Sequence, residues 1–191
     1  MALLTVKKAV MVDWSPGWKT ITISAAKRGK YEGGDGKKYL DVFFEGYPDT
    51  IKLRAHQKFN KTTKEEFNIS NLFRYANAGI EEVSKTDDGS EMMVEINTEP
   101  ANLIGKKLNV YFYKNAKGYT DISDNVVPGE PFENIVETFK EADLEGLMKY
   151  TYSNRIEPYI STFKTESNDW DRSSSNGEAT ESKDDDEEDW G

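Results

Sequence analysis

Thr50–His56 is a short run in which Ile51, Leu53 and Ala55 fall on one side of an extended chain, and Lys52, Arg54 and His56 on the other. The run before it, Tyr39–Glu45, alternates in the same way: with Leu40, Val42 and Phe44 inward, Tyr39, Asp41, Phe43 and Glu45 face out. A third run, Leu108–Tyr113, sets Asn109, Tyr111 and Tyr113 opposite Leu108, Val110 and Phe112. A sheet built from these runs would show Tyr39, Phe43, Tyr111 and Tyr113 among Lys52 and Arg54. Trp14 and Trp18 would flank it, and Lys27, Arg28, Lys30, Lys37 and Lys38 would edge it. Flat rings stack on exposed bases, at ~1–3 kcal/mol per base, and cations neutralise phosphates, so this combination meets the needs of single-stranded nucleic acid. The bland alternative is that the rings fill space under helices and the cations form an ordinary solvated face. Roughly half of the rings are expected to pack in that way.

Catalytic chemistry has little to build on. His56 is the one histidine, and the absence of cysteine excludes disulfides, thiolate zinc sites and cysteine nucleophiles. Gly33-Gly34-Asp35-Gly36 lacks the spacing of a phosphate loop and reads as a hairpin tip. The pairs Glu65-Glu66, Glu81-Glu82 and Asp87-Asp88 read as solvated charge. A small carboxylate hydrolase or nuclease would require Asp41 and Glu45 to meet other acids around a metal. The expectation is a non-enzyme with no metal and no cofactor.

A second constellation closes the chain: Asp184, Asp185, Asp186, Glu187, Glu188 and Asp189, then Trp190 and Gly191. Six adjacent carboxylates repel one another and keep their water, so they cannot enter a core. Followed by one large ring, they read as a hook for a partner. From Glu166 onward eleven acids face two bases, a net charge of −9 out of −10 for the chain. Residues 1–64 carry 13 Lys/Arg against six Asp/Glu. The basic front points to nucleic acid, and the acidic end to competition or partner contact.

These residues need a scaffold. Strands are expected at Leu3–Val12, Trp18–Ala26, Tyr39–Glu45, Thr50–His56, Met92–Ile96, Leu108–Tyr113 and Tyr119–Val127. A helix is expected over Asn68–Val83, capped by Asn68 or Ser70 with Gly79 as its stop, and an acidic helix over Glu133–Met148. A three-strand meander, a helix and a closing hairpin is the order of the five-stranded, partly open barrel called the OB-fold. The fold class is therefore mainly β with accessory helices: an OB-fold-like barrel with an extra N-terminal strand and a C-terminal helix. A two-sheet sandwich is the alternative. Residues 1–130 form the expected nucleic-acid-binding domain, 131–165 a helical extension packed on it, and 166–191 a disordered acidic tail.

Several stretches carry a resemblance to a family: Trp18–Ala26, Tyr39–Ala55, Ile69–Gly79, Leu103–Val110 and Tyr119–Pro128, with the acidic end. Together they resemble phage-encoded single-stranded DNA-binding proteins, which join an OB-fold core to an acidic tail ending in an aromatic. The resemblance implies a protein that coats and protects single strands in DNA replication, recombination or repair. It also implies a tail that recruits replication or recombination proteins and competes with DNA. In such proteins the aromatic is commonly the last residue, whereas here Gly191 follows Trp190. An interaction adaptor whose tail mimics nucleic acid is the competing reading. RNA is not separated from DNA at this level. Leu3–Val12 can pair with another copy's edge, giving a homo-oligomer, or cover its own. With no long apolar run and no signal-peptide pattern, the expectation is a protein of the cytoplasm, the host's if phage-encoded, with no membrane partner.

Overall fold

The computed structural model describes residues 12–32, 36–85 and 92–163. The expected strand Leu3–Val12 lies outside them except for Val12, as do residues 33–35 and the tail with Asp184–Trp190.

Strands β1 (Gly17–Lys30), β2 (Lys38–Phe44) and β3 (Lys52–His56) form an antiparallel meander. β1 runs past its expected end at Ala26. The alternation continues through Lys27 and Gly29, which lie opposite Asp41 and Tyr39. Helix α1 (Asn68–Tyr75) follows and buries Ile69, Leu72 and Phe73. Neither Asn68 nor Ser70 caps it. The Glu66 carboxylate does, accepting bonds from the backbone N–H groups of Asn68 (2.9 Å), Ile69 (2.9 Å) and Ser70 (3.0 Å). A negative group is favourable at this end of a helix.

The helix ends eight residues before the expected Val83. Asn77 and Gly79 take left-handed backbone conformations, with φ of 48° and 64°. A Cβ at position 79 would sit 2.0 Å from the Asn97 carbonyl oxygen, so the turn tolerates only glycine. Beyond the turn β4 (Ile80–Lys85) pairs with β5 (Met92–Ile96), the ladder drawing those residues away from the helix.

β6 (Lys107–Lys114), β7 (Thr120–Ile122) and β8 (Val127–Pro128) complete the main sheet, whose order is β3-β2-β1-β6-β7 with β8 also on β6. β1 serves two neighbours. Gly17–Thr22 pairs with β6, Ile23–Lys30 with β2, and a register shift between Ile23 and Ala25 marks the change. Such an irregularity bends and twists a strand, and the sheet curls into an antiparallel half-barrel around Ile23, Val42, Leu53, Phe73, Val110 and Phe112. The expected mainly β architecture with a C-terminal helix holds. β3 and β7 lie side by side across the mouth of the curl without a ladder. Lys58 spans the gap to Asp124 at 2.7 Å, and Asn68 Nδ2 donates to the His56 carbonyl at 2.8 Å.

The segment expected to be helical from Glu133 first makes a hairpin, β9 (Phe132–Glu133) and β10 (Thr138–Phe139). Asn134 turns it by accepting the N–H groups of Val136 and Glu137. The Arg74 guanidinium docks it on α1 through Glu137, with Nε to Oε1 at 2.7 Å. Ile135 and Val136, read as helix face, are exposed at its tip. Helix α2 (Glu141–Thr151) then runs through Gly146 into a π-turn, Tyr152–Ile156, and on over 157–163. Pro158 has no N–H to give residue 154, and the wider turn accommodates the gap. Leu144 and Ile156 are buried. None of the described helices is long and apolar enough to cross a membrane.

Candidate nucleic-acid interface

Register decides which side chains share a face, because residues directly opposite in an antiparallel pair point the same way. Across β1, β2 and β3 three rows emerge: Gly29–Tyr39–His56, Lys27–Asp41–Arg54 and Ala25–Phe43–Lys52. Leu40, Val42, Phe44, Leu53 and Ala55 are buried on the opposite side. The alternation expected for β2 and β3 is therefore present, and it brings Lys27, Tyr39, Phe43, Lys52 and Arg54 together.

Asp41 organises this face. Although it points outward, only 7% of it is exposed, because two cations close over it. Arg54 grips it in a fork, Nε to Oδ1 at 2.7 Å and Nη2 to Oδ2 at 2.8 Å, and Lys52 Nζ reaches Oδ2 at 3.0 Å. Burial opposes its ionisation, but the bonds from Arg54 and Lys52 outweigh burial and hold the carboxyl below its ordinary pKa. The bond to Asp41 correspondingly raises the Arg54 pKa. Asp41 thus belongs to an ion-pair cluster. Among the described residues no group of three or more His, Asp or Glu is placed to hold a metal ion.

The rings are held as firmly. Arg54 lies over Tyr39, 4.0 Å from the ring centre. Tyr39 lies flat across Gly29, where a Cβ would meet its ring at 2.3 Å. Tyr31 stacks on His56 at 5.9 Å and 8°, and its hydroxyl lies 3.1 Å from Nε2. Phe43 has Lys27 at 5.4 Å and Lys52 at 5.7 Å from its ring centre. Arg54 covers Tyr39 at close range and Tyr31 packs on it at 4.9 Å, whereas the two ammonium groups over Phe43 stand farther from its ring. Phe43 is therefore the better platform for a base. The guanidinium plane of Arg54 is a second, since bases stack on Arg as well as on rings.

The remaining expected residues lie elsewhere. Arg28, on the other parity of β1, donates Nη2 to the Thr98 carbonyl at 2.5 Å and to its hydroxyl at 2.8 Å. Lys30 and Lys38 are opposite each other on that same parity. Lys37 is exposed next to the start of β2. Trp18, Tyr111 and Tyr113 are on the outer face of the sheet, but under the C-terminal helix. Tyr111 sits between Trp18 (5.4 Å) and Tyr152 (5.1 Å). Tyr113, 6% exposed, packs against Tyr159 and Phe163. Burial, and then Asp121, raise its hydroxyl pKa. All three were expected to stack bases; instead they pack in an aromatic layer with the C-terminal helix, which leaves their faces covered. The tail residues Asp184–Trp190 lie outside the described residues.

Tyr31 and Arg155 were not singled out from the sequence. Tyr31 had a signal, for the period-two series Ala25, Lys27, Gly29 leads to it. Arg155 had none, because the acidic helix was expected to end at Met148. Compared with family models, with curated proteins and with solved structures, the chain finds no match.

Proposed function

We propose that this chain is a non-enzymatic, sequence-tolerant single-stranded DNA-binding protein on an OB-fold-like open barrel. The observation that carries the reading is the in-register face of β1–β3, where Phe43 lies between Lys27 and Lys52 and Arg54 lies on Tyr39. Phe43 stacks a base, Arg54 stacks or bonds its neighbour, and Lys27 and Lys52 neutralise phosphates. The chain order of meander, helix and final hairpin supports the barrel, as does a first strand shared between two neighbours. Lys30, Lys37 and Lys38 add positive potential near the loop end. The acidic tail recruits replication or recombination proteins and competes with DNA. Its charge of −9 enters the chain just after Phe163, which packs on Tyr113 beside the cationic cleft.

Fluorescence anisotropy of labelled oligo-dT tests this over a range of salt. Affinity should fall with salt at a log–log slope of about −0.7 per phosphate neutralised, and duplex should bind less well. Deleting Glu166–Gly191 should tighten binding roughly tenfold at low salt, an effect that fades as screening grows. No binding by the tail-deleted protein at low salt would refute the reading. Weaker binding after deletion would refute the competition.

A further inference from the structure

The cationic face does not stop at β3. Lys52, Arg54 and His56 form one wall of a cleft of about 460 Å³ whose far wall includes Ser123 and Asn125, with Arg155 and Tyr159 also lining it. A second hollow, about 180 Å³, lies between α1 and α2 and shares Asp124, Asn125 and Arg155 with the first. The two form one groove leading from β3 past Arg155 to the rings of Phe67 and Tyr150.

The charges in this groove are unevenly committed. Asp124 is paired with Lys58 at 2.7 Å and lies 3.4 Å from Asn68 Nδ2. Asp121 accepts its neighbour Ile122 N–H at 2.8 Å and bonds the Tyr113 hydroxyl. Arg155 is exposed and makes no hydrogen bond or ion pair among the described residues. Beyond it Phe67 is 41% and Tyr150 59% exposed. An uncommitted guanidinium between the cationic wall of β3 and the open rings of Phe67 and Tyr150 suits a single strand, where a phosphate separates successive bases.

We propose that a single strand bound on β1–β3 continues along this groove, with Arg155 holding a phosphate and Tyr150 and Phe67 stacking bases beyond it. This rests on the reading that the β1–β3 face binds single-stranded nucleic acid. The C-terminal helix then has two uses: one side covers Tyr111 and Tyr113, and the other extends the binding site.

Length dependence separates the two parts of the path. The full chain is titrated with labelled oligo-dT of about four and about twelve nucleotides, within the ~4–16 nucleotides that one such barrel covers. Arg155→Ala should weaken the longer oligonucleotide about tenfold and lower its salt slope by about 0.7, with the short one unchanged. Arg155→Lys should keep the slope. Tyr150→Ala should weaken the longer one several-fold at unchanged slope, and Phe43→Ala should weaken both lengths. If Arg155→Ala and Tyr150→Ala bind the longer oligonucleotide like the parent while Phe43→Ala does not, the groove proposal is overturned and the β1–β3 reading stands. If the parent binds neither length, both fall.

Discussion

The outer side of β2 carries Tyr39 and Phe43, and the outer side of β6 carries Tyr111 and Tyr113. In sequence the two strands look alike, each alternating large rings with core residues. In the molecule they differ in what covers them. Over β2, among the described residues, lie its neighbouring strands and Tyr31: Phe43 interacts with Lys27 and Lys52, and Tyr39 with Arg54, Tyr31 and His56. Over β6 there is a second layer, in which Tyr152, Tyr159 and Phe163 meet Tyr111 and Tyr113. The polar groups follow suit. Asp41 on the open face takes two cations, while Asn109 on the covered face accepts the Thr20 hydroxyl at 2.5 Å and donates to the Pro128 carbonyl at 2.7 Å. Tyr39 combines both kinds of neighbour, Arg54 and the rings of Tyr31 and His56, while Phe43 has cations alone and Tyr111 and Tyr113 are covered by a layer of rings.

Substitution should separate these two kinds of ring. Tyr113→Ala should cost about 3 kcal/mol of stability, since a large buried ring leaves a cavity that its surroundings only partly fill. Chemical denaturation reads this directly, and the surviving folded fraction should bind the short oligo-dT of about four nucleotides, which needs only the β1–β3 face, as the parent does. Phe43→Ala should reverse the pattern. Affinity should drop by the equivalent of about 2 kcal/mol, the range for one stacked base, with the denaturation midpoint little moved. Equal effects of the two variants on stability would erase the distinction between the faces.

How much of this distinction was legible depends on the residue. The inward and outward sides of β2, β3 and β6 could be read, because period two is a local property and the core residues Leu40, Val42, Leu53, Val110 and Phe112 mark it. The cover over β6 could not. It comes from residues some forty positions later, whose helix was expected to end at Met148, short of the Tyr152, Tyr159 and Phe163 that do the covering. The end of α1 was misplaced for a related reason. Ile80 fits helical spacing with Phe73 and Ala76, but the left-handed turn at Asn77 and Gly79, and the partner strand Met92–Ile96, override local propensity. Arg28 and Lys27 show the finest limit, for adjacent cations in one basic segment point to opposite faces once β1 extends to Lys30.

Gly29 offers a smaller, sharper test of the open face. Tyr39 reaches Arg54 because its ring can lie over a residue without a side chain. Gly29→Ala would place a Cβ 2.3–2.5 Å from three Tyr39 atoms, so the ring must lift. The added methyl favours a strand, while the displaced ring and guanidinium work against it. A net loss of about 1 kcal/mol is expected, with a several-fold loss of affinity as Arg54 leaves its platform. An aromatic NMR signal for Tyr39 unchanged by the substitution would show that the ring does not need the glycine.

Asp41 gives the smallest effect and tests whether charge or shape holds the face. Its partners are about a third exposed, 33% for Lys52 and 31% for Arg54, so the ion pairs are partly screened and should contribute no more than about 1 kcal/mol. Because the carboxyl pKa in the fold is below its unfolded value of about 3.9, the unfolded chain binds the proton first on acidification. The contribution is therefore fully present above about pH 5 and is lost as pH falls through the folded value. Asp41→Asn keeps the shape and removes the charge. The gap in melting temperature between parent and variant should stay level from pH 5 to pH 8 and close in more acid solution. A gap that persists unchanged at about pH 2.5 would mean that the amide fails for reasons of hydrogen-bond geometry, and that Arg54 is positioned by the carboxylate's two acceptor oxygens rather than by its charge.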